Sequence, residues 1–168
     1  LERPHLINKA NADAIHRGWL RIDDRKTMEH YFLQQLQDHQ SVTSIYFGNS
    51  QGGLVDIGHE GQMGKMFVME TEGHAKGPLY KRALDNNGNK GRLIAQVPFF
   101  DATSRPWYRA AVQKADAAWT APYLLATGQD MAIAASRPVY DINNKLIGVV
   151  SCDLFLSHID AFLKSLDI

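Results

Sequence analysis

Three clusters of turn-forming residues divide the chain, and each lies between runs rich in β-branched and aromatic residues. The first, Gly48-Asn49-Ser50-Gln51-Gly52-Gly53, separates Val42, Ile45, Tyr46 and Phe47 from Leu54, Val55 and Ile57. The second, Asp85-Asn86-Asn87-Gly88-Asn89, separates Leu79–Leu84 from Arg92–Val97. The third, Asp141-Ile142-Asn143-Asn144, separates Met131–Tyr140 from Leu146–Leu156. Glycine supplies positive φ, and Asn or Asp side chains bond to nearby backbone, so the clusters read as hairpin connections. Lys65–Glu70 and Trp119–Leu125 are two further strand-like runs.

The period differs before residue 41. Leu6–Trp19 reads as a rather polar helix, the kind that needs a partner surface. A second helix follows the capping pair Asp23-Asp24, shows Met28, Tyr31, Phe32 and Leu36 at three- and four-residue spacing, and ends near Gln40. A third is expected to start at Thr103 or Ser104 as cap, with Pro106 in its first turn, and to run to about Lys114. Ser157 is expected to cap an exit helix carrying Ile159, Phe162, Leu163 and Leu166. The sum is an α+β layout: one central antiparallel sheet of about five or six strands, leading N-terminal helices and a C-terminal exit helix.

Bulk properties exclude some functions. The 168 residues, 45% hydrophobic and 21% charged, suit one folded domain. Eighteen basic residues balance eighteen acidic ones, which argues against nucleic acid as a partner. The single cysteine, Cys152, excludes an intramolecular disulfide and reads as a buried small hydrophobe. The chain opens on Leu1, which reads as a start inside a longer protein or after processing, and it holds no signal peptide or apolar run long enough to span a bilayer.

Catalytic and cofactor motifs fail on spacing. Gly58, Gly61, Gly64 and Lys65 approximate a phosphate loop, but Met66 stands where Ser or Thr is needed. The seven histidines form no HExxH pair and none is at ligand spacing from Cys152, so no metal site is expected. No Gly-x-Ser-x-Gly elbow occurs. The expectation is a protein that is not an enzyme, with no catalytic residues and no cofactor.

One segment carries a binding signal: Phe100-Asp101-Ala102-Thr103-Ser104-Arg105-Pro106-Trp107-Tyr108. Arginine can grip a carboxylate through two parallel hydrogen bonds, and indole and phenol add neutral donors and ring walls. The same residues also suit a plainer role, with Trp107 and Tyr108 packing a helix on the sheet and Arg105 paired to a local acid. Asp101 reads as a cap, and Tyr140 and Asp141 as hairpin residues.

With Ser44–Asn49 (SIYFGN), Asp101–Tyr108 (DATSRPWY), Trp119–Tyr123 (WTAPY), Ser136–Asp141 (SRPVYD), Ile147-Gly148-Val149 and Asp153-Leu154, the chain resembles the Cache sensor family. The resemblance is to double-Cache receptors built of PAS-like (PDC) modules, and it covers nearly the whole chain. It implies an extracytoplasmic, periplasmic module of a membrane-anchored histidine kinase, chemoreceptor or cyclase, which binds a small polar ligand and passes a conformational change to a cytoplasmic output domain. It implies part of the long leading helix and a second helix in residues 1–40, a membrane-distal module in 41–157 and an exit helix in 158–168. In the members that bind amino acids, the matching positions are Arg105, Trp107 and Tyr108 for the ligand carboxylate, and Tyr123 and Asp153 for the ammonium. Phe100 stands where that pattern has a tyrosine, removing one polar contact. The competing reading is a structural module without a ligand, forming a homodimer through the N-terminal helix, with Asp153 only bracing Arg105.

Overall fold

All three turn clusters close hairpins, and each does so with one acidic or amide side chain. In a computed structural model, which describes residues 2–60 and 65–159, strand β1 (Ser44–Asn49) turns into β2 (Leu54–His59). Asn49 Oδ1 accepts from the Gln51 and Gly53 amides at 2.9 and 3.0 Å. Strands β4 (Gly77–Leu84) and β5 (Lys90–Phe100) are joined where Asp85 Oδ1 accepts from the Asn87 and Asn89 amides, both at 2.9 Å. Strands β8 (Met131–Tyr140) and β9 (Leu146–Phe155) join the same way, through Asp141 Oδ1 and the Asn143 and Lys145 amides. Such bonds hold the loop backbone without a partner strand, so the register of each hairpin is set locally.

With β3 (Met66–Thr71), β6 (Ala118–Trp119) and β7 (Tyr123–Leu124), these strands form one antiparallel sheet ordered β5-β4-β3-β2-β1-β9-β8-β6, with β7 also on β8. The sheet has nine strands where five or six were expected. The excess comes partly from Trp119–Leu125, which splits into two two-residue strands around Pro122; proline has no N–H to donate to a ladder. β9 is an interior strand, paired to β1 on one side and β8 on the other.

Helices α1 (Arg3–His16) and α2 (Arg25–Asp38) cover one face of the sheet. Met28, Phe32, Leu33 and Leu36 of α2 pack with Ile45, Phe47, Ile57 and Val68 there. Leu33 takes the inward place expected of Tyr31, which stays exposed. Asp24 caps α2 as expected, accepting from the Thr27 amide at 3.2 Å. The polarity of α1 is partly turned inward. Asn8 donates to the Ala135 carbonyl at 2.8 Å and Asn11 accepts from Gln35 at 2.7 Å, both asparagines being fully buried. Leu6 and Trp19 remain exposed. No described helix is long and apolar enough to cross a membrane.

The opposite face is covered by a 3-10 turn (Ala102–Ser104) and helix α3 (Pro106–Lys114). The expected cap is corrected. Asp101, not Thr103 or Ser104, closes the 3-10 turn by accepting from the Thr103 amide at 3.0 Å, and α3 then starts at Pro106, its N-cap residue Arg105 making no side-chain cap. Two elements share these few residues, so the hydroxyls expected to cap the helix fall inside the preceding turn. Residues 156–159 are helical, and the remainder of the expected exit helix lies outside the described residues.

Candidate ligand-binding site

Strand alternation decides what the α3 face presents. Tyr46 and Ser44 of β1 share it with Asp56 of β2, Phe67 and Met69 of β3, Lys81 of β4, and Ser151 and Asp153 of β9. Their partners fix this: Tyr46 lies opposite Asp56 and Ser151, Ser44 opposite Asp153, and Met69 opposite Lys81. Five polar strand residues, besides Tyr46, therefore stand on the inner surface of a sheet that α3 closes.

At the centre is Asp153. Its Oδ1 accepts from the Tyr46 hydroxyl at 2.6 Å and from the Tyr123 hydroxyl at 2.7 Å. Burial pushes its carboxyl up to about 6, against the lowering effect of the Tyr46 and Tyr123 hydroxyls and the Arg105 charge. Burial and the Asp153 charge push both phenols up as well, which keeps them protonated and donating.

Around Asp153 the predicted residues form a connected series. The Arg105 guanidinium sits 5.6 Å over the Tyr123 ring and donates to the Leu124 carbonyl at 2.8 Å. Trp107 meets Tyr46 edge-on with ring centroids 4.8 Å apart, and Tyr108 lies 5.9 Å beyond Trp107. Gly48 makes room for the indole: a Cβ there would lie 2.5 Å from Trp107 Cη2. Phe100, at the end of β5, is buried in the same apolar cluster and adds only ring surface. Arg105 and Asp153 are not paired; Tyr123 stands between them, bonded to the acid and stacked on the base. The site is closed over, with Tyr46, Trp107, Tyr123 and Asp153 each less than a tenth exposed.

Sequence reasoning missed the floor beside Asp153. Asp56 is buried and its Oδ1 has no hydrogen-bond partner; Ser44 Oγ is likewise buried and unpartnered. Burial, then the Asp153 charge, holds the Asp56 carboxyl well above the usual carboxylate range. Lys81, also buried, pairs with Glu60, donates to Gln129 at 3.1 Å and caps the Phe67 ring at 4.4 Å. The one signal was an acid inside the otherwise apolar strand Leu54-Val55-Asp56-Ile57.

Residues 21–161 match the family described as methyl-accepting chemotaxis protein-like, first PDC sensor domain. The chain belongs to this family. Among relatives of this PDC sensor domain, the methyl-accepting chemotaxis protein McpA of Pseudomonas putida KT2440 is 32% identical over 154 residues, covering 85% of the chain and 24% of McpA. McpC of Bacillus subtilis 168 is 43% identical over 66 residues, 39% of the chain and 10% of McpC. The chain thus spans a quarter or less of the length of these relatives. The same fold is seen in the ligand-binding domain of the Pseudomonas aeruginosa PAO1 amino acid chemoreceptor PctC in complex with GABA, with TM-score 0.62 and 19% identity over 98% of this chain and 61% of that one. It recurs in the domain of Pseudomonas fluorescens CtaA in complex with L-valine, with TM-score 0.57 and 18% identity over 95% and 55%. The PDC sensor domain has the α+β fold expected of it, with its sheet between two helical layers.

Proposed function

We propose that this PDC domain is the extracytoplasmic ligand-binding module of a membrane-anchored receptor, and that its ligand is a small zwitterion of the amino acid class. The observation that carries the reading is the placement of Arg105 and Asp153 on either side of Tyr123 in a closed, aromatic-walled site. A zwitterion needs opposite charges on facing walls, and the low dielectric of a buried site strengthens both contacts. Asp153 takes the ammonium, relieving a carboxylate that burial otherwise penalises. Arg105, tied by one Nη2 bond, keeps donors for the ligand carboxylate. Trp107, Tyr108 and Phe100 wall the site, and the domain acts by binding rather than by chemistry.

Admission of ligand requires the α3 side to open, and closure then shifts the population of the receptor's signalling states. The helical turn at 156–159 leads out of this module toward the next part of the receptor, and residues 2–40 lead into it.

Calorimetric titration of the domain with a panel of amino acids tests the reading. At least one binds, and Arg105→Ala and Asp153→Ala each weaken it by about tenfold or more while remaining folded, the loss expected of a charge-assisted contact of about 1.5–3 kcal/mol. If no amino acid binds, or if both variants bind as the parent does, the reading is wrong.

A further inference from the structure

Asp153 is not the only carboxylate on the site floor. Asp56 lies diagonally across β1 from it: β2 and β9 flank β1, Asp56 opposite Tyr46 and Asp153 opposite Ser44. Two strand spacings and a two-residue offset place their Cα atoms roughly 12 Å apart, with both side chains on the α3 face. Ser44, buried and unpartnered, is on the β1 stretch between them.

The nearby cation does not serve Asp56. Lys81 is held by Glu60, by Gln129 at 3.1 Å and by the Phe67 ring at 4.4 Å, and no ion pair to Asp56 forms among the described residues. Among the described residues the Lys81 ammonium is engaged by Glu60 and the Arg105 guanidinium lies over Tyr123, so a neutral zwitterion brings Asp56 no cation. A buried acid with an unpartnered oxygen is costly unless it is protonated or a cation reaches it. With an ammonium on Asp153, a side chain of lysine or arginine length extends along the floor toward Asp56.

We propose, resting on the amino acid reading above, that the domain selects a basic amino acid, with Asp153 holding the α-ammonium and Asp56 the side-chain cation. Asp56 is then the residue that determines specificity, and the Arg105–Tyr123–Asp153 series is common to any amino acid ligand.

The test is calorimetric titration with L-arginine, L-lysine, L-glutamine and L-leucine against the parent and Asp56→Asn. In the parent, one of the basic amino acids binds at least tenfold tighter than either neutral one. Asp56→Asn removes that difference and leaves the neutral affinities within about threefold. Should Asp56→Asn not fold, Lys81→Met supplies the opposite arm: losing the competing cation widens the preference for the basic ligand. Equal or tighter binding of glutamine or leucine by the parent overturns the proposal while leaving the amino acid reading intact. So does an Asp56→Asn variant in which all four affinities fall together. If none of the four binds, this proposal falls, and the wider amino acid panel then decides the reading beneath it.

Discussion

At the residue scale, the molecule keeps acids where water cannot reach them. Asp153 is fully buried and its carboxyl sits near 6, against an ordinary 3.8. A folded-state value above the unfolded one means that the native state holds the proton more tightly. The resulting stability is present in full below pH 3.8 and is lost as pH rises through 6. The cost at neutral pH is about 3 kcal/mol for this group. Asp153→Asn is therefore expected to remove a decline of that order between pH 4 and pH 7, seen as a difference from the parent in denaturant unfolding at the two pH values. Parallel pH profiles for parent and variant would show that the acid is not ionised at a cost. The same residue marks a limit of sequence reading. Asp153 was found through its resemblance, whereas Tyr46 and Asp56 were not singled out. Every residue of Leu54–His59 is buried, so no polar–apolar alternation tells which side chains of β2 face the site.

At the element scale, the connections were the most legible part of the chain. Asn49, Asp85 and Asp141 each carry out within a few residues the bonding that turn chemistry predicts, so no distant contact could overrule them. Where the outcome depended on distant partners, the sequence was a poorer guide. The polarity of α1 suggested a face turned toward another surface, and that surface proves in part to be the chain's own sheet. Asn8 joins the helix to β8 through the Ala135 carbonyl, and its Oδ1 lies 3.4 Å from Cys152 Sγ, which can donate to it. Asn8→Ala takes one donor from the Ala135 carbonyl, which keeps the Ser151 hydroxyl at 3.0 Å, and one acceptor from the Cys152 thiol, which keeps the Pro4 carbonyl. Thermal or denaturant unfolding should show a loss of about 0.5–1.5 kcal/mol, the net worth of a hydrogen bond whose partners are not left orphaned. Asn11→Ala in the next turn is expected to act through α2 instead, because its partner is Gln35. The split of Trp119–Leu125 was open to reading from Pro122, but the run of apolar residues concealed it.

At the scale of the whole molecule, the sheet divides the core into two layers with different work. The α1–α2 side is built from aliphatic and aromatic packing around Phe32, Ile45, Ile57 and Val68. The α3 side mixes aromatic rings with buried acids, hydroxyls and a lysine. Both layers hold buried polar atoms, but on the α3 side they include Asp56 Oδ1 and Ser44 Oγ beside Asp153, which the proposed ligand would reach. Binding linkage gives the size of the effect. A ligand at a hundred times its dissociation constant adds about 2.7 kcal/mol, which for a chain of this length raises the unfolding midpoint by roughly 5–10 °C. A thermal-shift screen of amino acids should show that rise for the best ligand, and the rise should shrink as pH falls below about 6 and Asp153 takes up its proton. A rise that grows on acidification would contradict the assignment of the ammonium to Asp153.

Strand β9 has no slack. It is laced to β1 along one edge and to β8 along the other, and Thr43 pins its end by donating its amide to the Asp153 carbonyl at 2.8 Å and accepting from the Phe155 amide at 3.1 Å. Asp153 is only three residues from the point where the chain turns helical at 156, roughly 10 Å along an extended strand. A tug on that carboxylate cannot dissipate as local give over so short a span. On the proposed reading the strand works as a pushrod, by which the arrival of a charge at Asp153 becomes a displacement of the chain where it leaves the sheet.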